Sequence, residues 1–90
     1  MLGQIMDFPL TITSLMRHAE RCHPDTEIVS VTFDNPRHRY QFRDAFRRTR
    51  QLANALAQAG LKTGDFVGTL AWNDYRHFEI YYGLSCSGMV

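Results

Sequence analysis

The residues best suited to chemistry in this 90-residue sequence are six arginines and a histidine that share fourteen consecutive positions with a single acidic residue, Asp44. Such a cluster is typical of a surface that binds phosphate groups or nucleic acid. The alternative is a solvated helix face whose acidic partners lie elsewhere in the fold, which is the usual role of charge runs. We favour the alternative and expect no nucleic-acid partner, because the net charge is only +1. The arginine cluster consists of Arg37, His38, Arg39, Arg43, Arg47, Arg48 and Arg50.

A second candidate is the group His18, Cys22 and His23, whose nitrogen and sulfur atoms are suitable ligands for zinc. His18 and Cys22 are one helical turn apart. No second pair completes a set of four ligands, because His38 and His77 lie far along the chain. Cys22 also falls on an apolar stripe, where a thiol packs as a small hydrophobic group. We therefore predict no metal site.

Nucleophilic catalysis has equally little support. Cys86 is nine residues from His77, which is too far along one helix for direct contact, so a packed cysteine is the better interpretation. Gly60 and Gly64-Asp65 match no phosphate-binding motif and precede a strand rather than a helix, so they are interpreted as turn residues. We predict no catalytic, cofactor-binding or metal-binding residue.

The composition indicates a folded domain, with 44% hydrophobic and 21% charged residues. We treat residues 1–90 as a single domain segment. No apolar run reaches the roughly 18–20 residues that cross a bilayer, and the first residues lack the features of a secretory signal. Two distant cysteines give no disulfide framework. Together these features favour a cytoplasmic location.

The first half of the sequence predicts a helix and a hairpin. Apolar residues recur at helical spacing from Ile12 to Cys22, with Thr11 or Thr13 as the N-cap and Pro24 beyond the end. The β-branched stretch Glu27–Phe33 and the stretch His38–Phe42 predict two strands, joined by a turn at Asp34-Asn35-Pro36. The helical stripe is Ile12, Leu15, Met16, Ala19 and Cys22.

The second half predicts a helix, a buried strand and another helix. A continuous apolar stripe begins at Phe42, and Gly60 stands where a left-handed residue would end the helix. Phe66–Trp72 is almost wholly apolar, which is typical of a strand covered on both faces. The last helix runs from Tyr75 to about Ser87, with Asn73 or Asp74 as its cap.

The predicted order is helix, hairpin, helix, buried strand, helix, which is an α/β arrangement. A buried strand followed by a helix is half of a βαβ unit, and Met89-Val90 stands where its second parallel strand would begin. We therefore interpret residues 1–90 as one incomplete segment of a larger domain. Such a segment should expose apolar surface at Leu70, Trp72 and Tyr82.

Three segments resemble the N-terminus of the adenylate-forming superfamily, and within it the medium- and long-chain fatty-acyl-CoA synthetases. The first is Tyr40–Ala45, which is similar to an L-T-Y-x-E-L-like segment. The second is the helix that contains Arg48, Leu52, Ala53, Leu56 and Gly60. The third is the pattern of Gly64, Asp65, Val67 and Asn73.

The resemblance implies a parent enzyme that activates a fatty acid with ATP to an acyl-adenylate and transfers the acyl group to coenzyme A, with magnesium offsetting phosphate charge. The family's catalytic motifs lie downstream of the region it shares with this chain. The resemblance therefore implies that residues 1–90 are scaffold, inactive alone, in the large AMP-binding domain. In some relatives this region also helps form a homodimer.

A different class of function stays open. The chain could be a stand-alone interaction or dimerisation module without catalytic activity, which uses its arginine face or an exposed sheet edge. Stable, independent folding would favour this alternative.

Overall fold

The computed structural model describes Gly3 and residues 6–90. The described part holds three α-helices and one two-stranded antiparallel sheet, which confirms an α/β chain. Among the described residues, no helix combines the length and the apolar character needed to cross a bilayer. The prediction about a secretory signal falls partly on Met1, Leu2, Gln4 and Ile5, which lie outside the described residues. The elements are α1 (Ile12–Cys22), β1 (Glu27–Ser30), β2 (His38–Gln41), α2 (Phe42–Gln58) and α3 (Tyr75–Ser85).

Helix α1 begins and ends as the sequence predicts. The hydroxyl of Thr11 accepts a hydrogen bond from the backbone N–H of Ser14 at 3.3 Å, and His23 is the C-cap. Met16 packs in the interior, whereas Ile12 and Leu15 remain exposed. The apolar stripe of α1 is therefore only partly covered by the described residues.

The hairpin forms in the predicted place but β1 is shorter than predicted. Its register runs from the pair Glu27 and Gln41 to the pair Ser30 and His38. Beyond Ser30 the backbone turns, because the hydroxyl of Thr32 donates to the carboxylate of Asp34 and accepts from the N–H of Asn35, each at 2.8 Å. These local side-chain bonds take the place of further ladder bonds.

Helix α2 ends at the predicted glycine. Gly60 has φ of 96°. Its N–H donates to the carbonyl of Ala57, and the N–H of Leu61 donates to the carbonyl of Leu56, both at 3.1 Å. This is a Schellman motif, in which a left-handed residue lets the chain satisfy the last helical carbonyls. The prediction of Gly60 as the helix terminator is confirmed.

The interior lies between α2 and α3. Phe46 is almost fully buried, and its ring is 5.6–6.3 Å from the rings of Phe42, Phe78 and Tyr82. Gly83 lets the two helices approach, since a Cβ at this position would lie 3.0 Å from Cδ2 of Leu52. Tyr82 therefore takes part in the interior and is half-buried, contrary to the expectation that it would be exposed.

The prediction of a buried strand at Phe66–Trp72 is wrong for the described structure. These residues lie outside the helices and strands. Leu70 is fully exposed and Trp72 is 76% exposed, as the sequence predicts. The reason is that backbone partners reach only the start of the segment. The N–H of Val90 donates to the carbonyl of Asp65, and the carbonyl of Val90 accepts from the N–H of Val67, both at 2.8 Å. Among the described residues, no sheet covers the rest of the segment.

Candidate functional site

A group of polar side chains surrounds one buried carboxylate where β2, α2 and α3 meet. Glu79 of α3 is only 5% exposed. Its Oε1 accepts hydrogen bonds from the hydroxyl of Tyr40 at 3.0 Å and from Nε of Arg48 at 2.6 Å. A carboxylate inside a protein is stable when charged and polar donors replace its water. We call these three residues the Glu79 cluster.

Stacked rings extend the Glu79 cluster toward the hairpin. The rings of His38 and Tyr75 stack with centroids 3.6 Å apart, and Tyr40 meets both of them edge-on at 4.9 and 5.4 Å. The guanidinium carbons of Arg48 and Arg76 lie 5.9 and 5.0 Å from the centre of the Tyr75 ring. These distances permit cation–π attraction. Nδ1 of His38 is buried without a hydrogen-bond partner among the described residues. The cluster therefore joins the hairpin to both helices.

The hydrogen bonds of this region shift several pKa values. Burial, followed by the hydrogen bond to Glu79, raises the pKa of Tyr40, and the hydrogen bond to Glu79 raises the pKa of Arg48. At the outer edge, the hydrogen bond from Arg76 lowers the pKa of Asp34 to about 2, and the same bond raises the pKa of Arg76. A general acid or base works best with a pKa near the working pH. The direction of the Tyr40 shift thus favours a structural role for the Glu79 cluster.

The arginine cluster has the acidic partners that the sequence analysis expected. Within the described part of the chain, five of its six arginines form ion pairs with carboxylates, two of them with residues of α1 or the loop that follows it. Most of these side chains are about half exposed, as on an ordinary solvated helix face. The pairs are Arg39–Glu27, Arg43–Asp25, Arg47–Asp44, Arg48–Glu79 and Arg50–Glu20. The interpretation as a paired surface is confirmed, and the absence of a nucleic-acid partner stays a prediction.

The structure brings two of the three candidate zinc ligands together. Sγ of Cys22 lies 3.7 Å from Nδ1 of His18, and the ring of His23 meets that of His18 edge-on at 5.9 Å between centroids. Within the described residues, no group of three or more histidine, cysteine or acidic side chains is placed to hold a metal ion. Cys22 is exposed and does not pack in the interior as its place on the apolar stripe suggested.

His77 and Cys86 each have other neighbours. The ring of His77 stacks on Tyr81 at 4.5 Å, and its Nε2 lies 3.3 Å from the hydroxyl of Thr69. Sγ of Cys86 lies 4.0 Å from Sδ of Met16. The interpretation of Cys86 as a packed, partly buried thiol is therefore confirmed.

We assign no described residue to the binding of ATP, magnesium or coenzyme A. The carboxylates of Asp34 and Glu79 are already engaged by arginines. Gly60 and Gly64 have positive φ in turns, and Gly60 closes a helix, whereas phosphate groups are held by the N–H groups that open one. Their interpretation as turn residues is confirmed, and we assign no chemical step to these positions.

Comparison with known proteins defines the class. A family model described as "AMP-binding enzyme" matches residues 16–90. The chain therefore belongs to the AMP-binding enzyme family, which agrees with the resemblance stated from the sequence.

Several individual relatives are named as CoA ligases. The chain is 48% identical over all 90 residues to a 3-methylmercaptopropionyl-CoA ligase of Ruegeria lacuscaerulensis and 44% identical over 90 residues to a medium-chain-fatty-acid–CoA ligase of Ectopseudomonas oleovorans. It is 30% identical over 86 residues, 96% of its length, to a long-chain-fatty-acid–CoA ligase of Thermus thermophilus. The chain spans only 16–17% of the length of these curated relatives.

Sequence reasoning missed the Glu79 cluster. Its members are 39 and 31 positions apart from Glu79, so no local spacing connects them. One signal was available: Glu79 is the only acidic residue in the α3 sequence YRHFEIYYGLS, on a helix that otherwise presents aromatic residues to the interior. A lone carboxylate on a buried face requires a cationic partner, and Arg48 of α2 supplies it.

Proposed function

We propose that these residues form the N-terminal part of the AMP-binding domain of an acyl-CoA ligase. The observation that carries the proposal is the likeness to CoA ligases along the whole chain, at 43–48% identity for three of them. The family match over residues 16–90 supports the same conclusion. The comparisons give no support to a stand-alone interaction module.

The parent enzyme would join a carboxylic acid to coenzyme A in two steps. In the first, a carboxylate oxygen attacks the α-phosphorus of ATP, and pyrophosphate leaves to give an acyl-adenylate. In the second, the thiol of coenzyme A loses its proton and attacks the acyl carbon, and AMP leaves. Adenylation makes the second step feasible because AMP is a much better leaving group than the original carboxylate oxygen. Magnesium would offset the phosphate charge in the first step.

Within this enzyme the described residues serve as scaffold. The Glu79 cluster and the Phe46 interior fix the hairpin, α2 and α3 relative to one another. The charged groups of the region are engaged with one another in ion pairs, Arg48 with Glu79 and Arg76 with Asp34. We therefore propose that the 90-residue chain is catalytically inactive alone. A homodimer and a cytoplasmic location stay predictions.

A grafting experiment tests this proposal. The 90 residues replace the matching segment of the E. oleovorans ligase, and acyl-CoA formation is measured with 3-methylmercaptopropionate and with fatty acids of several lengths. We expect the grafted ligase to be active and to keep the acid preference of the host, because the grafted part is scaffold. The unmodified host is the control.

Two outcomes would contradict the proposal. A grafted ligase that folds like the host yet forms no acyl-CoA would exclude an interchangeable scaffold. ATP–pyrophosphate exchange by the purified 90-residue chain, dependent on added acid, would show that it holds an active site of its own.

A further inference from the structure

We propose that α1 is a latch, which opens as a unit about His23–Pro24 while the hairpin, α2 and α3 stay folded. The open latch uncovers the faces of α2 and α3 around Thr49, Gly83 and Cys86. Ionic strength controls the opening, because an exposed ion pair helps to hold the latch closed. This inference goes beyond the proposed function and does not depend on it, since it concerns only how one helix is held to the others.

The first argument is that α1 is attached to its neighbours by side chains. Among the described residues, no backbone hydrogen bond joins α1 to another helix or to a strand. Backbone attachment begins just beyond the helix. The carbonyl of Pro24 accepts from the N–H of Arg43 at 3.1 Å, and the carbonyl of Thr26 accepts from the N–H of Phe42 at 2.9 Å. The chain is therefore fixed from Pro24 onward, and this places the pivot at His23–Pro24.

The second argument is that few side chains hold α1 in place. Met16 is its buried residue, whereas Ile12 and Leu15 are exposed. Within the described part of the chain, Glu20–Arg50 is the ion pair that joins α1 to α2. Its side chains are 32% and 51% exposed, so salt can screen the attraction. A helix of 11 residues is not stable alone in water, and α1 therefore unfolds once it leaves α2 and α3.

The third argument is the space left beneath α1. A cavity of about 250 Å³ lies between α1 and the α2–α3 pair, and α1 contributes Thr13, Met16 and Arg17 to its wall. Atoms that border a gap lose the van der Waals contacts of a close-packed interior. By contrast, α2 and α3 meet closely at Gly83, where a Cβ would touch Leu52. The junction of α1 with the pair is therefore the weaker of the two.

Amide hydrogen exchange tests whether α1 opens separately. It is followed in the 90-residue chain and in the grafted ligase, for residues 16–22 of α1 and residues 46–56 of α2. We expect the α1 amides to exchange at least about tenfold faster than the α2 amides. Low concentrations of urea should speed exchange in α2 more than in α1, because the local opening exposes less surface than global unfolding. Equal rates with equal urea dependence in the two helices would overturn the proposal.

A matched pair of substitutions tests the ion pair of the latch. Glu20→Gln removes the attraction to Arg50 and should speed exchange in α1 by about twofold to fivefold. Glu27→Gln breaks the exposed pair with Arg39 inside the hairpin and should leave exchange in α1 unchanged. Raising the salt concentration from about 50 mM to about 0.5 M should reproduce the effect of Glu20→Gln in the unmodified chain. Equal exchange in α1 of the two variants would overturn control by ionic strength.

The two cysteines give a second readout. Sγ of Cys86 is partly buried and lies 4.0 Å from Sδ of Met16, whereas Cys22 is exposed. Alkylation of both thiols by iodoacetamide is measured on their peptides in one sample, so that Cys22 reports the reactivity of the reagent. We expect Glu20→Gln to raise the rate at Cys86 relative to that at Cys22. Alkylation of Cys86 that follows global unfolding in urea, and not exchange in α1, would show that α1 stays closed.

Enzyme activity keeps this inference distinct from the proposed function. A grafted ligase that folds but forms no acyl-CoA would overturn the ligase assignment, while exchange in α1 still decides the latch. An active grafted ligase in which α1 exchanges as slowly as α2 would overturn the latch alone.

Discussion

A carboxylate in an apolar setting keeps its charge only where donors replace the water it has lost. Glu79 meets this condition through one neutral donor, Tyr40, and one cationic donor, Arg48. Arg48 and Glu79 differ in their surroundings, because the Arg48 side chain is about half exposed whereas that of Glu79 is 7% exposed. If Glu79 is removed, water can therefore solvate part of the Arg48 guanidinium. If Arg48 is removed, water cannot reach the Glu79 carboxylate in the same way.

The number of hydrogen bonds that each residue makes in the Glu79 cluster predicts an order of stabilities. Glu79→Ala should lower the free energy of unfolding by about 1–3 kcal/mol, because it removes two hydrogen bonds and leaves the hydroxyl of Tyr40 without its acceptor. Tyr40→Phe should cost about 1 kcal/mol, since it removes one bond. Urea unfolding of the 90-residue chain, or of the grafted ligase, measures both.

Glu27→Ala is the matched control. It breaks the ion pair with Arg39, whose side chains are both about half exposed, and should cost no more than about 0.5 kcal/mol. Because Tyr40 and Glu79 share one bond, the double variant Tyr40→Phe/Glu79→Ala should cost less than the sum of its parts. Additive costs would show that the bond does not contribute to stability.

Asp34 provides a prediction about pH. Its pKa is lowered from 3.8 to about 2, first by the hydrogen bond from Arg76. A carboxyl whose pKa is lower in the folded state contributes stability above its unfolded pKa, and this contribution is lost as the pH falls from about 4 to about 2. A carbon-detected NMR titration should place the Asp34 midpoint near the lower value. Arg76→Gln should move the midpoint upward, and an unchanged midpoint would contradict the assigned cause.

At the scale of elements, the sequence predicted best the features that depend on neighbours in the chain. The cap at Thr11, the terminator Gly60 and the turn at Asp34-Asn35-Pro36 each depend on residues within five positions. Asp74 also caps α3 as predicted, with its carboxylate accepting from the N–H groups of Arg76 and His77. The strand expected at Phe66–Trp72 failed for the opposite reason, since a strand requires a partner that periodicity alone does not supply.

The candidate site was less predictable than the elements. The acidic partners of the arginine cluster were expected in general, but not which carboxylate meets which arginine. Glu79 meets Arg48 across 31 positions, and this depends on how closely α2 and α3 approach at Gly83. Such contacts follow from packing geometry, which a single sequence does not specify.

The end of α3 gives a prediction that belongs to an element. Gly88 has φ of 73°. Its N–H donates to the carbonyl of Ser85, and the N–H of Met89 donates to the carbonyl of Leu84 at 3.1 Å. A Cβ at Gly88 would lie 2.8 Å from Cγ2 of Thr63. Gly88→Ala should therefore destabilise the chain by about 1 kcal/mol or more, through both backbone strain and this clash.

Two further variants separate the cost of backbone strain from the cost of the clash with Thr63, in the same unfolding measurement. Gly68→Ala is the control, because φ is not positive there and nothing lies within 4 Å of the new Cβ. Adding Thr63→Ser to Gly88→Ala removes the clashing methyl group and should recover part of the loss. No recovery would assign the whole cost to the backbone.

At the scale of the whole molecule, the described residues combine a small apolar interior with a large exposed apolar surface. Among the described residues the buried apolar side chains are few, and the polar side chains of Thr49 and Glu79 are buried as well. The Phe66–Trp72 segment contributes apolar surface without a matching cover. A chain of about this size buries only about 60% of its unfolded surface, so covering this segment should add appreciably to its stability. The buried apolar residues are Met16, Ala45 and Phe46.

Trp72 allows the solvent exposure of Phe66–Trp72 to be measured directly, because it is the only tryptophan in the sequence. In the 90-residue chain its side chain is 76% exposed, so its fluorescence should resemble that of tryptophan in water and be quenched readily by acrylamide. In the grafted ligase, with any host tryptophans replaced by phenylalanine, the emission should shift to shorter wavelength and quenching should fall, because we expect the rest of the AMP-binding domain to cover Phe66–Trp72 and remove water from the indole. Trp72→Phe in the same background gives the blank. Identical emission and quenching in the two proteins would show that Phe66–Trp72 is a solvent-facing segment of the ligase and not part of its sheet.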